Sequence, residues 1–417
     1  MSAPGSKPVK SAENWAAPLE TLAGRRLALV VSGGVAAYKA AELARLLVRS
    51  GAQVRAVLTA NAARFVTPLT FESLTGQPAC LDMWVRPQYD IEHIALADWA
   101  EALIAAPATA NFLAKMAHGL ADDFASTFLL AFGGPVLAAP AMNSRMLAAQ
   151  ATKANLESLA GRGVELIASR TGLLACGTVG DGRLADPETI ALAAARALGP
   201  GDFSGRRLVV SAGSTREPWD DIRFMANRSS GRMGLDLALA AWLRGAEVQV
   251  AAGPAVAAPP PLPGLTFQTA ESTRDMLELI SALDYDTLIM AAAPADFRPA
   301  ERVVGKIKKG ASMPRLALAA NPDILNSLPR AGGRLYVGFA AEEADLVERA
   351  RGKLRDKDLD LVAANRVGGP DGAFASAENR LWLVYRDGRT EEIGPRPKFA
   401  AAWSLLTAVK SLAPKGA

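Results

Sequence analysis

Several groups of residues in this chain combine types and spacings that could do chemistry. The first is Ser32-Gly33-Gly34-Val35-Ala36, inside LALVVSGGVAAYKAAELARLL (27–47). A hydroxyl and two glycines ahead of a helix let backbone N–H groups face an anion, and the helix dipole adds attraction. The third glycine of a dinucleotide turn is missing, so one phosphate fits better than two; a plain tight turn is the alternative. The second group lies in IEHIALADWAEALIAAPATANFLAKMAHGLADDFASTFLLA (91–131) and holds His93, Thr109, Asn111, Ser126 and Thr127. APAMNSRM (139–146) comes next, with Met142 and Asn143 just past a proline, and Thr59 closes an earlier apolar run. The third is SAGSTREPWDDIRFMANRSSGRMG (211–234), whose Arg223, Asn227, Arg228, Ser229 and Ser230 suit phosphates and carboxylates. The fourth is a set of lysines: Lys306, Lys308 and Lys309 together, then Lys353 and Lys357 four apart on one helical face. Such clusters are often plain solvated surface, but here they come after successive strand candidates, which favours anion binding.

These groups need a scaffold, and the pattern supplies one. RLALVVS (26–32), QVRAVLT (53–59), ALIAAP (102–107) and PVLAAPA (135–141) are near-continuously apolar, as strands buried on both faces should be. A helix with Ala40, Leu43, Leu46 and Leu47 on one side lies between the first two and stops at Gly51. Strand–helix–strand at this spacing predicts a parallel sheet with right-handed crossovers. Ligands in such sheets sit at the carboxyl ends of the strands, where the polar groups above fall. LGPGDFSGRR, near residue 198, reads as a linker, and RRLVVSAGSTRE (206–217) opens a second α/β domain. EVQVAAG, TLIMAAAP, RLYVGFAA, LDLVAAN and LWLVYRD are its further strand candidates, and the Pro-rich 251–265 reads as a loop.

Composition sets outer bounds. The chain has 417 residues, half of them apolar, enough for two or three cored domains. A net charge of +4 does not argue for nucleic acid. Two distant cysteines, Cys80 and Cys176, make neither a disulfide framework nor a zinc site. Cys80 reads as structural, and His118 as surface-facing or helix-terminal. Residues 1–23 lack a signal-peptide core and read as a frayed, disordered tail. No window supplies about 20 uninterrupted apolar residues, so no membrane span and a cytoplasmic location are expected. The division is then 1–23 tail, 24–198 first domain, 199–205 linker and 206–417 second domain.

SGGVAAYK, HIALADWA, APATAN, PAMNSRM and TGLLACGTVGDGRLADP, in that order over residues 25–195, resemble the flavin-dependent cysteine decarboxylases, specifically the phosphopantothenoylcysteine decarboxylases. The resemblance implies a flavodoxin-like domain with FMN as cofactor. Ser32, Gly33, Gly34, Val35 and Ala36 would take its phosphate, and Thr59, Thr109, Asn111, Ser126 and Thr127 would contribute to the same site. Flavin oxidation of the substrate thiol to a thioaldehyde creates the electron sink that decarboxylation of a cysteine amide otherwise lacks. By the same resemblance His93 assists oxidation and decarboxylation. Asn143, with Met142, binds the substrate carboxylate, and Cys176 donates the proton when the resulting enethiol is reduced. The glycine-rich stretch around Cys176 could form a mobile flap over the substrate.

Residues 203–412 resemble the phosphopantothenate–cysteine ligases, and the whole chain the bifunctional bacterial proteins of coenzyme A biosynthesis that join the two. By that resemblance the ligase half would use CTP with Mg²⁺, whose ligands no spacing here identifies, to activate 4′-phosphopantothenate as an acyl-cytidylate. L-cysteine would displace CMP, and the first half would then decarboxylate the product to 4′-phosphopantetheine. The resemblance also assigns residues. Lys306, Lys353 and Lys357 would contact the CTP phosphates. Ala291, Ala292, Asp296, Phe339 and the turn Pro322, Asp323, Ile324, Leu325 would frame the nucleotide. Asn227 would stabilise the acyl-cytidylate and Arg223 would hold phosphopantothenate. A homo-oligomer with trimeric decarboxylase and dimeric ligase contacts, closing as a dodecamer, is also implied. The fold class expected is therefore α/β: two doubly wound Rossmann-like domains, the first flavodoxin-like, the second of ligase type.

The chain departs from the ligase pattern at Ser214, at Asp221 where proline is usual, and at Arg232 where lysine is common; Asp221 bears on a turn near Arg223. Two rival readings stand beside this one. One is an FMN-binding scaffold with a degenerate second half. The other is a flavin prenyltransferase-like first half, which needs neither Cys176 nor the fused ligase.

Overall fold

Apolar runs that cannot leave their backbone polar groups unpaired must form sheet, and they do so twice. The computed structural model describes residues 16–84, 92–173, 175, 177–308, 315–330, 332–367 and 376–412. It divides into two compact units, Met1–Gly199 and Pro200–Ala417.

In the first unit β1 (Arg26–Val31), β2 (Gln53–Leu58), β3 (Ala102–Ala108), β4 (Val136–Pro140) and β5 (Glu165–Leu166) form one parallel sheet in the order β2-β1-β3-β4-β5. All seven residues of β3 are buried. The order reverses at β1, which under right-handed crossovers sends helices to opposite faces. Helix Ala37–Arg49 packs with Pro187–Ala197, whereas Ala110–His118 packs with Gln150–Gly161. Phe112, Leu113, Met116, Phe124, Phe128 and Leu159 form the core on the latter face. A hairpin, β6 (Arg170–Leu173) with β7 (Val179–Arg183), stands outside the sheet.

In the second unit β8 (Arg207–Ala212) begins a larger sheet. The ribbon β9 (Glu217–Pro218) with β10 (Phe224–Met225) comes after it, then β11 (Glu247–Ala252), β12 (Leu265–Thr269) and β13 (Thr287–Met290). A second ribbon pairs β14 (Phe297–Pro299) with β15 (Leu318–Ala320), after which β16 (Leu335–Glu342), β17 (Leu361–Arg366), β18 (Glu378–Tyr385) and β19 (Thr390–Pro397) complete the unit. The sheet order is β12-β11-β8-β13-β16-β17-β18-β19, parallel through β17 and antiparallel beyond. The first six strands thus take the Rossmann order. The antiparallel return and the ribbons have no signature in the periodicity. Trp242, fully buried on helix Arg232–Leu243, donates its indole N–H to the Pro263 carbonyl at 2.7 Å, anchoring the Pro-rich loop.

Two expectations need correction. Residues 16–22 are not frayed: they form two short helical turns whose Leu19 and Leu22 are 1% and 0% exposed. Nor is 199–205 a loose connector. Phe203 is buried, and Asp202 forms a two-pronged ion pair with Arg244 at 2.6 and 3.0 Å. Apolar and charged anchors spaced this closely among Gly and Pro are easily overlooked. Among the described residues no helix is long and apolar enough to cross a membrane.

Candidate functional site

The carboxyl ends of β1 and β3 flank the point where the strand order of the first sheet reverses. A cavity of about 920 Å³ opens there. Ser32, Gly33, Gly34, Val35 and Ala36 line one side, leading directly into helix Ala37–Arg49. Gly33 is required by close approach: a Cβ there would lie 2.3 Å from the Asn61 Cβ and 2.7 Å from its carbonyl carbon. The Ser32 hydroxyl behaves differently from the sequence expectation. It is 2% exposed and donates to the Pro107 carbonyl at 2.7 Å, while Thr109 N–H donates to it at 2.9 Å. The serine ties two strand ends together, so its hydroxyl is already engaged within the fold.

Thr59, Thr109, Asn111, Met142 and Asn143 line the same cavity. Thr109 caps helix Ala110–His118, and the Asn143 side-chain oxygen accepts from Arg145 N–H at 2.8 Å, capping Ser144–Ala148. Strand ends that become helix caps bring these groups together. Ser126 and Thr127 do not line the cavity. Ser126 is buried in a capping box with Asp123, because its hydroxyl is close enough to its own helix terminus to satisfy it. Thr127 donates to the Ala121 carbonyl. His93 stands half-buried on helix Glu92–Trp99 and is not among the lining residues. Cys176 and Lys309 lie outside the described residues.

Sequence reasoning missed Lys39 and Arg183, which also line the cavity. Lys39 is 8% exposed; burial, reinforced by Arg183, lowers its pKa. The signal was a lysine on the sheet-facing stripe of an amphipathic helix. Lys115, also lining, is ion-paired to Asp122 and Asp123 at 2.6 and 2.7 Å. The hairpin is seated on the Met142–Ser144 loop: Met142 N–H donates to Gly182 O at 3.0 Å and Ser144 Oγ to Asp181 O at 2.6 Å. Gly182 has φ +116°, and a Cβ there would meet the Met142 carbonyl oxygen. As expected, His118 is exposed at a helix end. Cys80 is buried, extending the sheet by backbone bonds to Ala56 and Leu58.

The second unit carries a smaller cavity of about 150 Å³. Ala292, Asp296, Phe339, Lys353 and Lys357 line it, together with the turn Pro322, Asp323, Ile324 and Leu325. Lys353 lies on helix Leu346–Asp356 and Lys357 caps its end, so the spacing of four does place both on one face. The Lys353 ammonium donates to the Phe339 carbonyl, and burial together with repulsion from Lys357 lowers its pKa. Lys357 pairs with Asp323 at 2.9 Å. Burial pushes the Asp323 carboxyl up, but the bonds from Lys357 and the Asn326 N–H outweigh it and the pKa falls. Nothing in the residue pattern flagged Thr273, Ala295 and Asn321, which also line this cavity. They belong to a buried network in which Glu217 accepts from Thr273 N–H and Oγ1 at 2.9 and 2.8 Å, and Asn321 donates to Ala295 O at 2.8 Å.

Ala291, Arg223, Asn227 and Lys306 do not line this cavity. Asn227 lies against its edge, donating to the carbonyls of Pro294 at 2.9 Å and Ala293 at 3.4 Å. Arg223 stacks on Trp219, 5.6 Å from the ring centre. Lys306 is exposed, on the connection between β14 and β15 rather than directly after a sheet strand. Among the described residues no group of three His, Cys, Asp or Glu could hold a metal.

Residues 16–198 match the family described as Flavoprotein, and residues 203–412 the family described as DNA/pantothenate metabolism flavoprotein C-terminal domain. The chain is 37% identical over 402 residues to the coenzyme A biosynthesis bifunctional protein CoaBC of Vibrio parahaemolyticus, covering 94% of this chain and 100% of that one. It is 39% identical over 398 residues to the protein of the same name from Bacillus subtilis, covering 94% and 98%. Among solved structures, the C-terminal domain of a coenzyme A biosynthesis bifunctional protein CoaBC is 32% identical. It covers 51% of this chain and 97% of that one, with a TM-score of 0.43.

Proposed function

The chain belongs to the family of coenzyme A biosynthesis bifunctional proteins, and from that premise we propose how its two units divide the work. It is an enzyme of two consecutive steps: ligation of cysteine to 4′-phosphopantothenate, then decarboxylation of the product to 4′-phosphopantetheine. The first unit decarboxylates and the second ligates. The observation that carries this reading is the pairing, in one chain, of a large cavity at a glycine turn with a small cavity floored by two lysines.

The first cavity fits FMN. Its volume suits a mononucleotide, its walls mix backbone donors with apolar groups, and a side chain at Gly33 would not fit. Ser32–Ala36 would hold the phosphate through backbone N–H groups, with Thr59, Thr109 and Asn111 along the remainder. Bound flavin supplies the reversible oxidation that makes carboxylate loss beside sulfur feasible. Met142 and Asn143, fixed by the helix cap and the seated hairpin, would orient the substrate carboxylate. His93 would assist the oxidative steps and Cys176 would return the final proton.

In the second unit the nucleotide is CTP. The phosphopantothenate carboxylate attacks the α-phosphorus and pyrophosphate leaves. The cysteine amine then attacks the acyl carbon, loses a proton and displaces CMP. Lys353 and Lys357 would neutralise phosphate charge, with Mg²⁺ accompanying the triphosphate. Ala291, Ala292, Asp296, Phe339 and Pro322–Leu325 would frame the nucleotide. Lys306 would reach the reacting phosphate, Asn227 would stabilise the acyl-cytidylate and Arg223 would bind phosphopantothenate. Homo-oligomer formation in the cytoplasm belongs to the same proposal.

The test is reconstitution with CTP, Mg²⁺, 4′-phosphopantothenate and cysteine. Pyrophosphate, CMP and CO₂ are expected in equal amounts. A colourless protein that takes up no flavin and releases no pyrophosphate would sink the reading.

A further inference from the structure

The proposed ligase reaction needs Lys306 beside the substrate held by Arg223, yet Lys306 is exposed and residues 300–308 around it form neither helix nor strand. Two adjacent aspartates explain how that connection is held. Asp220 has a fully buried side chain. Its Oδ1 accepts from Ile222 and Arg223 N–H at 2.8 and 2.7 Å, folding its own turn, and its Oδ2 accepts from Ile307 N–H at 3.1 Å. Asp221 Oδ2 accepts from Gly305 N–H at 2.8 Å, and its own N–H donates to Gly305 O at 3.2 Å. Val303 N–H donates to Trp219 O at 2.9 Å, and the Arg223 guanidinium reaches Ile307 O at 3.4 Å. Both neighbours of Lys306 are thus fixed through carboxylates of the turn that carries Arg223.

We propose that Asp221 is a positioning residue for ligation: with Asp220 it docks residues 303–307, so that Lys306 is presented next to Arg223. The proposal rests on the reading of Lys306 as a ligase residue. The exposed ion pair of Asp221 with Arg302, at 3.2 Å, contributes little by itself. The working contact in this chain is the accepted Gly305 N–H, which Asp221→Ala leaves without its acceptor. Because Asp221 does not line the lysine cavity, its loss should leave the Lys353 and Lys357 contacts in place, and decarboxylation, the work of the other unit, should persist.

The experiment uses the full chain and four variants: Asp221→Ala, Asp221→Asn, Lys306→Ala and the double variant Asp221→Ala/Lys306→Ala. Hydrogen exchange of a peptide spanning 303–308 reads docking, and CMP release reads ligation. Decarboxylation of supplied phosphopantothenoylcysteine reports that the protein is intact. In Asp221→Ala, faster exchange is expected, with kcat/KM for CTP in ligation lowered about tenfold. Asp221→Asn, which keeps an acceptor oxygen, should recover most of the rate. The double variant should be no slower than Lys306→Ala, because two changes acting through one group are not additive. Unchanged exchange in Asp221→Ala overturns the docking, and so does an additive double variant. If Lys306→Ala ligates at the unaltered rate, the reading of the lysine fails instead, whatever the exchange result.

Discussion

Thr109 donates its backbone N–H to the Ser32 hydroxyl at 2.9 Å, and that hydroxyl donates in turn to Pro107 O at 2.7 Å. This buried relay joins the ends of β1 and β3 under the larger cavity. Ser32→Ala removes the acceptor of the Thr109 N–H. It should lower first-unit stability by about 1–3 kcal/mol, with weaker flavin uptake. Calorimetry and a flavin titration check it; an unaltered transition with full uptake would contradict the relay.

Gly33→Ala should abolish flavin uptake, since its Cβ would overlap Asn61. Gly34→Ala should fold normally, because the nearest atom, Thr109 Cγ2, would be 3.4 Å away. The visible absorption of the purified variants distinguishes them. A yellow Gly33→Ala protein would show that the turn can open.

Asn227→Asp replaces a donor by an anion facing the Pro294 and Ala293 carbonyls. Ligation should fall by at least about a hundredfold through repulsion and misplacement, and decarboxylation of supplied substrate should persist. Separate assays of CMP and CO₂ release read the two halves; parallel loss would point to misfolding.

Lys353 titrates below the ordinary lysine value because it is buried and beside Lys357. A bound triphosphate favours its protonated form, so CTP binding should take up protons. Affinity should fall as pH rises from the lowered Lys353 value toward the ordinary one. Titration calorimetry in buffers of different ionisation enthalpy measures the uptake. Proton release, or affinity rising with pH in that window, would count against Lys353 as a phosphate contact.

Asp202 holds Arg244, which is 3% exposed and stacked between Phe203 and Trp403. The Arg244 hydrogen bonds keep the Asp202 carboxyl below the ordinary aspartate range. A depressed carboxylate contributes stability above the unfolded value and loses it as pH falls through the folded one. Asp202→Asn should flatten that acid loss, and Asp202→Ala should cost the second unit on the order of 3 kcal/mol by stranding a buried charge. Acid and thermal unfolding of Asp202→Asn and Asp202→Ala beside the unaltered protein decide this.

Much of this was legible along the chain because it is local. Unbroken apolar runs marked the parallel strands of both sheets, and the glycines after the first strand marked the turn that needs them. A spacing of four put Lys353 and Lys357 on one face. Burial, by contrast, depends on what packs from elsewhere, so residues 16–22 and the Asp202–Phe203 anchor looked loose in isolation. Side-chain oxygens also have competing partners: Ser32 looked free for a ligand until the fold brought it Pro107, whereas Ser126 is taken by Asp123, three residues back in its own helix cap. Lys39, Glu217 and the docking of Lys306 by Asp220 and Asp221 join segments far apart in sequence. Only the tertiary structure decides such contacts, because a hydrogen bond is set by distance in space.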